Sequence, residues 1–298
     1  MSTFDRRQFL GASSALLIAA AAGAQEKAPP RKRALKKAVG WGMIDAGKTA
    51  GEKLALIKKL GFDGVELPSP SDLNLDEIAA GLKEHALGVS ELVGSHHWSE
   101  PLSDGDPAVR AKGLAALETG LRECKRIGAT SLLVVPAVVN ANVSYDQAWD
   151  RSLAELKKLV PLAKELQVLI TVENVWNGFL LSPLEAARYV DALESEWVGW
   201  HFDVGNVINF GWPEQWIRIL GKRTKKLHIK EFSRKKRNDE GLWKGFDVKL
   251  GDGDNNWPAV MAALDEVGYS GWATAEVDGG GEDELRDVAA RMDRIFAS

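Results

Sequence analysis

The sequence predicts an α/β fold, a (β/α)8 TIM barrel, and three observations carry that prediction. From residue 38 to residue 298, short apolar runs alternate with amphipathic runs of helical period. The alternation repeats eight times, the pattern of parallel βαβ units in a chain of barrel length. No Gly-x-Gly-x-x-Gly follows the first apolar run, which removes the main signature of a doubly wound sheet, the alternative for such alternation.

The elements follow in order. Residues 1–24 read as a signal peptide with a twin-arginine start: Arg6-Arg7-Gln8-Phe9-Leu10, a weakly hydrophobic run from Gly11 to Ala24, and a small-x-small cleavage site at Ala22-Gly23-Ala24. The run is too short to span a bilayer, which needs about 20 apolar residues, and no cysteine near the cleavage point offers a lipid anchor. The expectation is an exported, periplasmic protein without a stable membrane anchor. Residues 25–37, rich in Pro, Lys and Arg, read as a linker. The strands are expected at Val39–Ile44, Gly64–Leu67, Val89–Gly94, Ser131–Val135, Val168–Val172, Val198–Phe202, Lys226–Ile229 and Gly271–Ala275. The helices are expected at Ala50–Leu60, Asp76–Ala86, Pro107–Ile127, Tyr145–Leu166, Pro183–Leu193, Pro213–Gly221, Trp257–Val267 and Asp283–Phe296. Ser182-Pro183 places Pro at a first helical position. Gly61, Gly128 and Gly268 stand where a helix end requires a positive φ.

Composition narrows the function. Hydrophobic residues make up 45%, enough for a sizeable core, and the net charge of −4 does not suit a nucleic-acid binder. The single cysteine, Cys124, forms no internal disulfide and sits in a helical run, where it reads as a buried, inert thiol. Tryptophan is abundant, 11 residues against 3 tyrosines, so its positions matter.

Chemistry in such barrels sits at the C-terminal strand ends. Strand five ends in Thr171-Val172-Glu173-Asn174, strand six in His201-Phe202-Asp203-Val204-Gly205-Asn206, strand seven in Leu227-His228-Ile229-Lys230-Glu231 and strand eight in Thr274-Ala275-Glu276-Val277-Asp278. Three carboxylates crowded into a barrel mouth repel one another. With one imidazole they form a hard, mostly oxygen donor set for one divalent cation: Mn2+ first, with Mg2+, Co2+ or Zn2+ as alternatives. Glu173, Asp203, His228 and Glu276 are the expected ligands.

This pattern resembles the sugar phosphate isomerase/epimerase superfamily, the xylose-isomerase-like barrels, over nearly all of residues 38–298. Supporting segments are Gly61-Phe62-Asp63-Gly64-Val65-Glu66, Phe202-Asp203-Val204-Gly205-Asn206 and Gly251-Asp252-Gly253-Asp254. The resemblance implies a metal-dependent isomerase or epimerase in which Glu173 and Glu276 are both ligands and the acid/base pair. One removes a proton α to a carbonyl and the other returns one, through an enediolate. Aldose–ketose isomerisation uses the same intermediate, and so does elimination from a 3-keto-glycoside, so a lyase or deglycosidase is the alternative. A non-catalytic sugar-binding protein is a further one, although its signature, a lost ligand, is not seen. The same barrel hosts three-zinc DNA-repair endonucleases, but Asn206 and Lys249 stand where that group places histidines and no His lies near Pro136.

Other mouth residues complete the expectation. His97, in Ser95-His96-His97-Trp98, faces inward if side chains alternate from Val93. Asn206 is placed to hydrogen-bond a hydroxyl. Arg234 falls where the resemblance implies a substrate arginine. Glu66 is placed to bind a hydroxyl or a lysine, and Lys230 to touch substrate or support a ligand. Trp41, Trp98 and Trp176 follow strands one, three and five, Trp243 lies in the loop after strand seven, and indole faces suit sugar C–H faces. Arg234-Lys235-Lys236-Arg237 reads as a solvated loop rather than a phosphate site. The expected partner is a small carbohydrate, and a homo-oligomer is compatible with barrels of this group.

Overall fold

In the computed structural model, which describes residues 33–298, eight parallel strands close into a barrel in the order β1 to β8, with β8 hydrogen-bonded back to β1. The strands are β1 (Leu35–Gly40), β2 (Gly64–Ser69), β3 (Gly88–Gly94), β4 (Ser131–Val134), β5 (Leu169–Glu173), β6 (Val198–Asp203), β7 (Thr224–Ile229) and β8 (Gly271–Ala275). Closure leaves no unpaired strand edge. The long helices are α1 (Ala50–Lys59), α2 (Leu75–Glu84), α3 (Pro107–Ile127), α4 (Tyr145–Leu166), α5 (Pro183–Ala192), α7 (Pro213–Leu220), α9 (Trp257–Glu266) and α10 (Glu282–Phe296), with α6 (Val204–Ile208) and α8 (Arg234–Glu240) as short ones at the barrel mouth.

Local signals explain the boundaries. Thr49 and Glu52 cap α1 reciprocally, satisfying two N–H groups that the first turn leaves open. Asp106 caps α3 ahead of Pro107, and Gly128 ends that helix at φ 81°, a left-handed conformation that suits glycine. Leu54, Ile57, Leu117, Leu121 and Leu156 pack against the outer strand faces, which carry Val65, Leu67, Leu92, Leu132 and Ile170. Cys124 lies in this layer, and burial pushes its thiol well above the usual range.

Two expectations are corrected. β1 begins at Leu35, so the linker does not reach residue 37, and Trp41–Met43 is a 3-10 turn rather than strand. Lys37 misled because its charge suggests solvent. Its stem is buried with the ammonium 5.5 Å from the Phe62 ring, and Nζ donates to Asp293 (2.7 Å) and to the Ala289 carbonyl. The run from Arg234 is also not a loop. Ser233 caps it, and i,i+4 pairs such as Lys236–Glu240 support a seven-residue helix. The signal peptide and most of the linker lie outside the described residues. Among those described, no helix is long and apolar enough to cross a membrane.

Inside the barrel, strand alternation builds layers. Glu173, Asp203, His228 and Glu276 are each two residues beyond Thr171, His201, Lys226 and Thr274, so that second set lies on the same inward face one level lower. Glu91 of β3 joins it. Ser131 and Thr171 hydroxyls donate to its carboxylate, and His201 Nδ1 lies 2.8 Å from Oε1. Lys226 Nζ donates to Thr130 Oγ1 (3.0 Å) and the Ser90 carbonyl. Burial raises the Glu91 pKa and lowers that of Lys226, and each charge partly offsets the other.

Candidate metal centre

Each of the four ligand candidates is delivered by a strand end. Glu173 and Asp203 are the last residues of β5 and β6, His228 is the next to last of β7, and Glu276 directly follows β8. Asp203 pairs with His228 in the β6–β7 register, which puts those two side by side. One donor atom from each of the four lies within 4.8 Å of all the others. His228 Nδ1 is 3.1 Å from Glu173 Oε1, 3.2 Å from Glu276 Oε2 and 3.8 Å from Asp203 Oδ2.

Supporting hydrogen bonds orient these groups. His228 Nε2 faces Glu66 Oε2 at 2.9 Å, which leaves Nδ1 turned towards the three carboxylates. Glu66 therefore orients the imidazole through Oε2. Asp203 Oδ1 accepts the Asn206 N–H (2.7 Å) as the cap of α6, while Oδ2 is buried without a hydrogen-bond partner. Asn174 links β5 to β6: Oδ1 accepts from the Asp203 N–H (3.0 Å) and Trp200 Nε1 (3.1 Å), and Nδ2 donates to the Asp203 carbonyl (2.7 Å).

The electrostatics show a carboxylate cluster held together by two cations of its own. Burial, reinforced by Glu276 and Glu173, raises the Asp203 pKa well above the carboxylate range. Burial acts on Glu276 in the same direction, but His228 and Lys230 overcome it and hold that carboxyl well below its usual value. Burial opposes protonation of His228, yet Glu66, Glu276 and Glu173 raise its pKa well above that of a free imidazole. Lys230 Nζ donates to Glu276 Oε2 (2.8 Å), lies 3.6 Å from Asp203 Oδ2, and is likewise raised. An unpartnered buried oxygen, an imidazole nitrogen and two further carboxylates converging on one point fit a divalent cation, which would take over the neutralising role of these protons.

A cavity of about 400 Å³ opens above this cluster. Glu276, Lys230 and Asn206 lie on its wall, with Trp98, Trp176, Trp243 and Phe246 as an aromatic lining and Glu231 and Asp278 as further carboxylates. Trp176 Nε1 donates to the Asn206 carbonyl (2.9 Å), and its ring meets Trp243 and Phe246, each at 4.9 Å. Lys230 sits 4.9 Å from the Phe246 ring centroid.

The remaining candidates lie elsewhere. His97 stands edge-on to Trp98 with centroids 5.3 Å apart. Its Nδ1 has no hydrogen-bond partner, and burial pushes its pKa down to about 4. It is Trp98, not His97, that lines the cavity. His96 turns to Glu100 (2.7 Å). Trp41 is covered by the Lys53 ammonium, 5.4 Å from its ring, and is not on the cavity wall. Arg234 departs most from expectation. Its Nε and Nη2 donate to the Ile208 and Gly211 carbonyls (2.9 and 3.0 Å), closing the end of α6 instead of facing the cavity.

Sequence reasoning missed four contributors. Asn174 carries no signal in the sequence beyond its place after Glu173. Glu91 and His201 hide inside apolar strands, although the spacing of two before Asp203 points to His201. Glu231 accepts from Trp257 Nε1 (2.8 Å) and from the backbone N–H groups of Gly251, Asn255 and Phe232. This gives the Gly251–Asp254 segment its physical sense, because a Cβ on Gly253 would come within 2.6 Å of Glu231 Oε1.

A three-carboxylate, one-imidazole cluster, buried but for Glu276, at the C-terminal mouth of a closed parallel barrel defines a class of metal-site barrel proteins. The chain belongs to the xylose isomerase-like TIM barrel family, whose model matches residues 54–295. It is 27% identical over 273 residues to the L-ribulose-5-phosphate 3-epimerase UlaE of Salmonella paratyphi C, covering 84% of this chain and 92% of that protein. Among solved structures it is similar to an L-ribulose 3-epimerase, with TM-score 0.74, 18% identity and coverage of 88% of this chain and 94% of the other. It is also similar to the IolI protein with a bound zinc atom, with TM-score 0.71, 19% identity and coverage of 88% and 98%.

Proposed function

We propose that this chain is a divalent-metal-dependent sugar 3-epimerase. The observation that carries the reading is the placement of Glu173 and Glu276, from strands five and eight, on one point with His228 between them at 3.1 and 3.2 Å. The epimerase activity named for relatives of this family supports it. A bound divalent ion, Mn2+ first among the candidates, supplies Lewis-acid stabilisation of negative oxygen.

The chain's own residues do the rest. One glutamate carboxylate accepts the proton from the carbon next to the ketose carbonyl, and the C–H electron pair moves into the enediolate. The other, protonated, glutamate returns a proton to the opposite face. Glu276 is suited to begin as the carboxylate, because His228 and Lys230 hold its pKa down. Glu66 keeps the imidazole oriented, and Trp176 and Asn206 form the wall against which the sugar lies.

The test is exchange. The Mn2+-loaded protein, given ketoses in D2O, should place one deuterium at the epimerised carbon. Glu276→Gln should lose both exchange and metal affinity. Absence of exchange with every ketose would reject the reading, and release of an aglycone from a 3-keto-glycoside would replace it with elimination. From the twin-arginine start we further infer export to the periplasm, which fractionation of cells with Arg6 and Arg7 replaced by Lys would test.

A further inference from the structure

The cavity has more room than one small sugar ring fills, about 400 Å³, within the range of about 300–1,000 Å³ typical of sites for larger ligands. Its rim is aromatic. Trp98 and Trp243 rise from the loops after β3 and β7, strands on opposite sides of the barrel, and are 51% and 66% exposed. With Trp176 and Phe246 they make an aromatic lining at the mouth, the kind of apolar surface that marks a ligand-binding groove.

The charge on the wall is negative. Glu276 and Asp278 stand there, while the Glu231 carboxylate is buried and taken up by Trp257 and three backbone N–H groups; among the described residues on that wall Lys230 is the single cation, already paired with Glu276 at 2.8 Å. The basic residues of α8 offer no substitute. Arg234 is committed to the Ile208 and Gly211 carbonyls, Lys235 to Asp239, Lys236 to the Asp247 carbonyl and Arg237 to Asn209. A phosphate dianion held at the rim, away from the metal ligands, would meet the Asp278 carboxylate with no unpaired ammonium on the cavity wall to receive it. An uncharged sugar ring would meet indole faces with its C–H groups and carboxylates with its hydroxyls.

We infer that the substrate is an uncharged ketose carrying a second sugar ring, with the reacting carbons at Glu173 and Glu276 and the second ring held by Trp243 and Trp98. The inference rests on the epimerase reading for the reacting end only.

The experiment compares three probes on the full chain loaded with Mn2+: fructose, fructose 6-phosphate, and isomaltulose, a fructose bearing a glucosyl group on the same terminal oxygen. Binding by calorimetry and deuterium exchange at the reacting carbon are both read. Isomaltulose should bind about tenfold tighter than fructose, and fructose 6-phosphate weakest. Trp243→Ala, a change at an exposed ring, should lower the isomaltulose-to-fructose ratio about five- to tenfold, the size of a lost ring contact. Tighter binding of the phosphate than of fructose, or a ratio untouched by Trp243→Ala, overturns the inference. If no probe exchanges deuterium, the epimerase reading fails while the binding ratios still decide the second-ring site. If no probe binds, both fail.

Discussion

Asn174→Ala tests how the ligand cluster is held in place. Asn174 is buried between Glu173 and Asp203 and makes three hydrogen bonds, two to the Asp203 backbone and one to Trp200 Nε1. Alanine removes all three from a buried site. At about 1 kcal/mol each, the loss is about 3 kcal/mol. For a domain of this size that corresponds to a fall in Tm of roughly 6–12 °C, measurable by circular dichroism. The Asp203 backbone loses its tether to β5, so Oδ2 is no longer held at the cluster, and metal affinity should fall about 10- to 100-fold. Competition against a fluorescent chelator reads this directly. The reasoning is refuted if the variant keeps its Tm within about 2 °C and binds metal as the parent does. A Tm loss with unchanged metal affinity would refute the positioning half alone.

Other outcomes follow from the same geometry. Arg234→Ala should leave KM for a ketose within about twofold and lower stability by roughly 1–3 kcal/mol, because two carbonyls at the end of α6 lose a charged donor. A large KM effect in steady-state assays would restore it to the substrate site. Lys230→Met removes one of the two cations that depress the Glu276 pKa, so the acidic limb of kcat/KM should move to higher pH. An unmoved limb would take Lys230 out of the acid/base balance. His228 has a raised folded-state pKa, so below it a metal must displace a proton from the imidazole. Affinity should therefore rise with pH, approaching about tenfold per pH unit until that pKa is passed. Titrations at pH 6, 7 and 8 that give equal affinities would contradict the assignment of His228 as a ligand.

The four ligand candidates were legible because each follows directly on an apolar strand, where a charged side chain stands out. The fold was legible for a related reason: α3, α4 and β8 are long or sharply bounded, and their ends match the sequence expectation. Elements of five and seven residues such as α6 and α8 span too few turns to show a helical period, and side-chain caps rather than amphipathicity define them. Glu66 and Arg234 show a different limit. Their residue types suit substrate contact, but partners distant in sequence, His228 and the Ile208 carbonyl, claim them. Lys37, Lys226 and Glu91 are charged residues inside strands, and nothing local announces the opposite charge or carbonyl that makes their burial tolerable.

The layer of Thr171, His201, Lys226, Thr274 and Glu91 beneath the ligands has a consequence for traffic. Those side chains plug the barrel from within, each almost wholly buried. The cavity is closed on that side and opens at the mouth, where Trp98 and Trp243 stand. A molecule seated at the ligands cannot pass through the barrel to its other end, so entry and departure both take place on the mouth side. If the rim indoles hold a second ring as inferred above, affinity there works against turnover: a ligand gripped at the mouth delays its own departure.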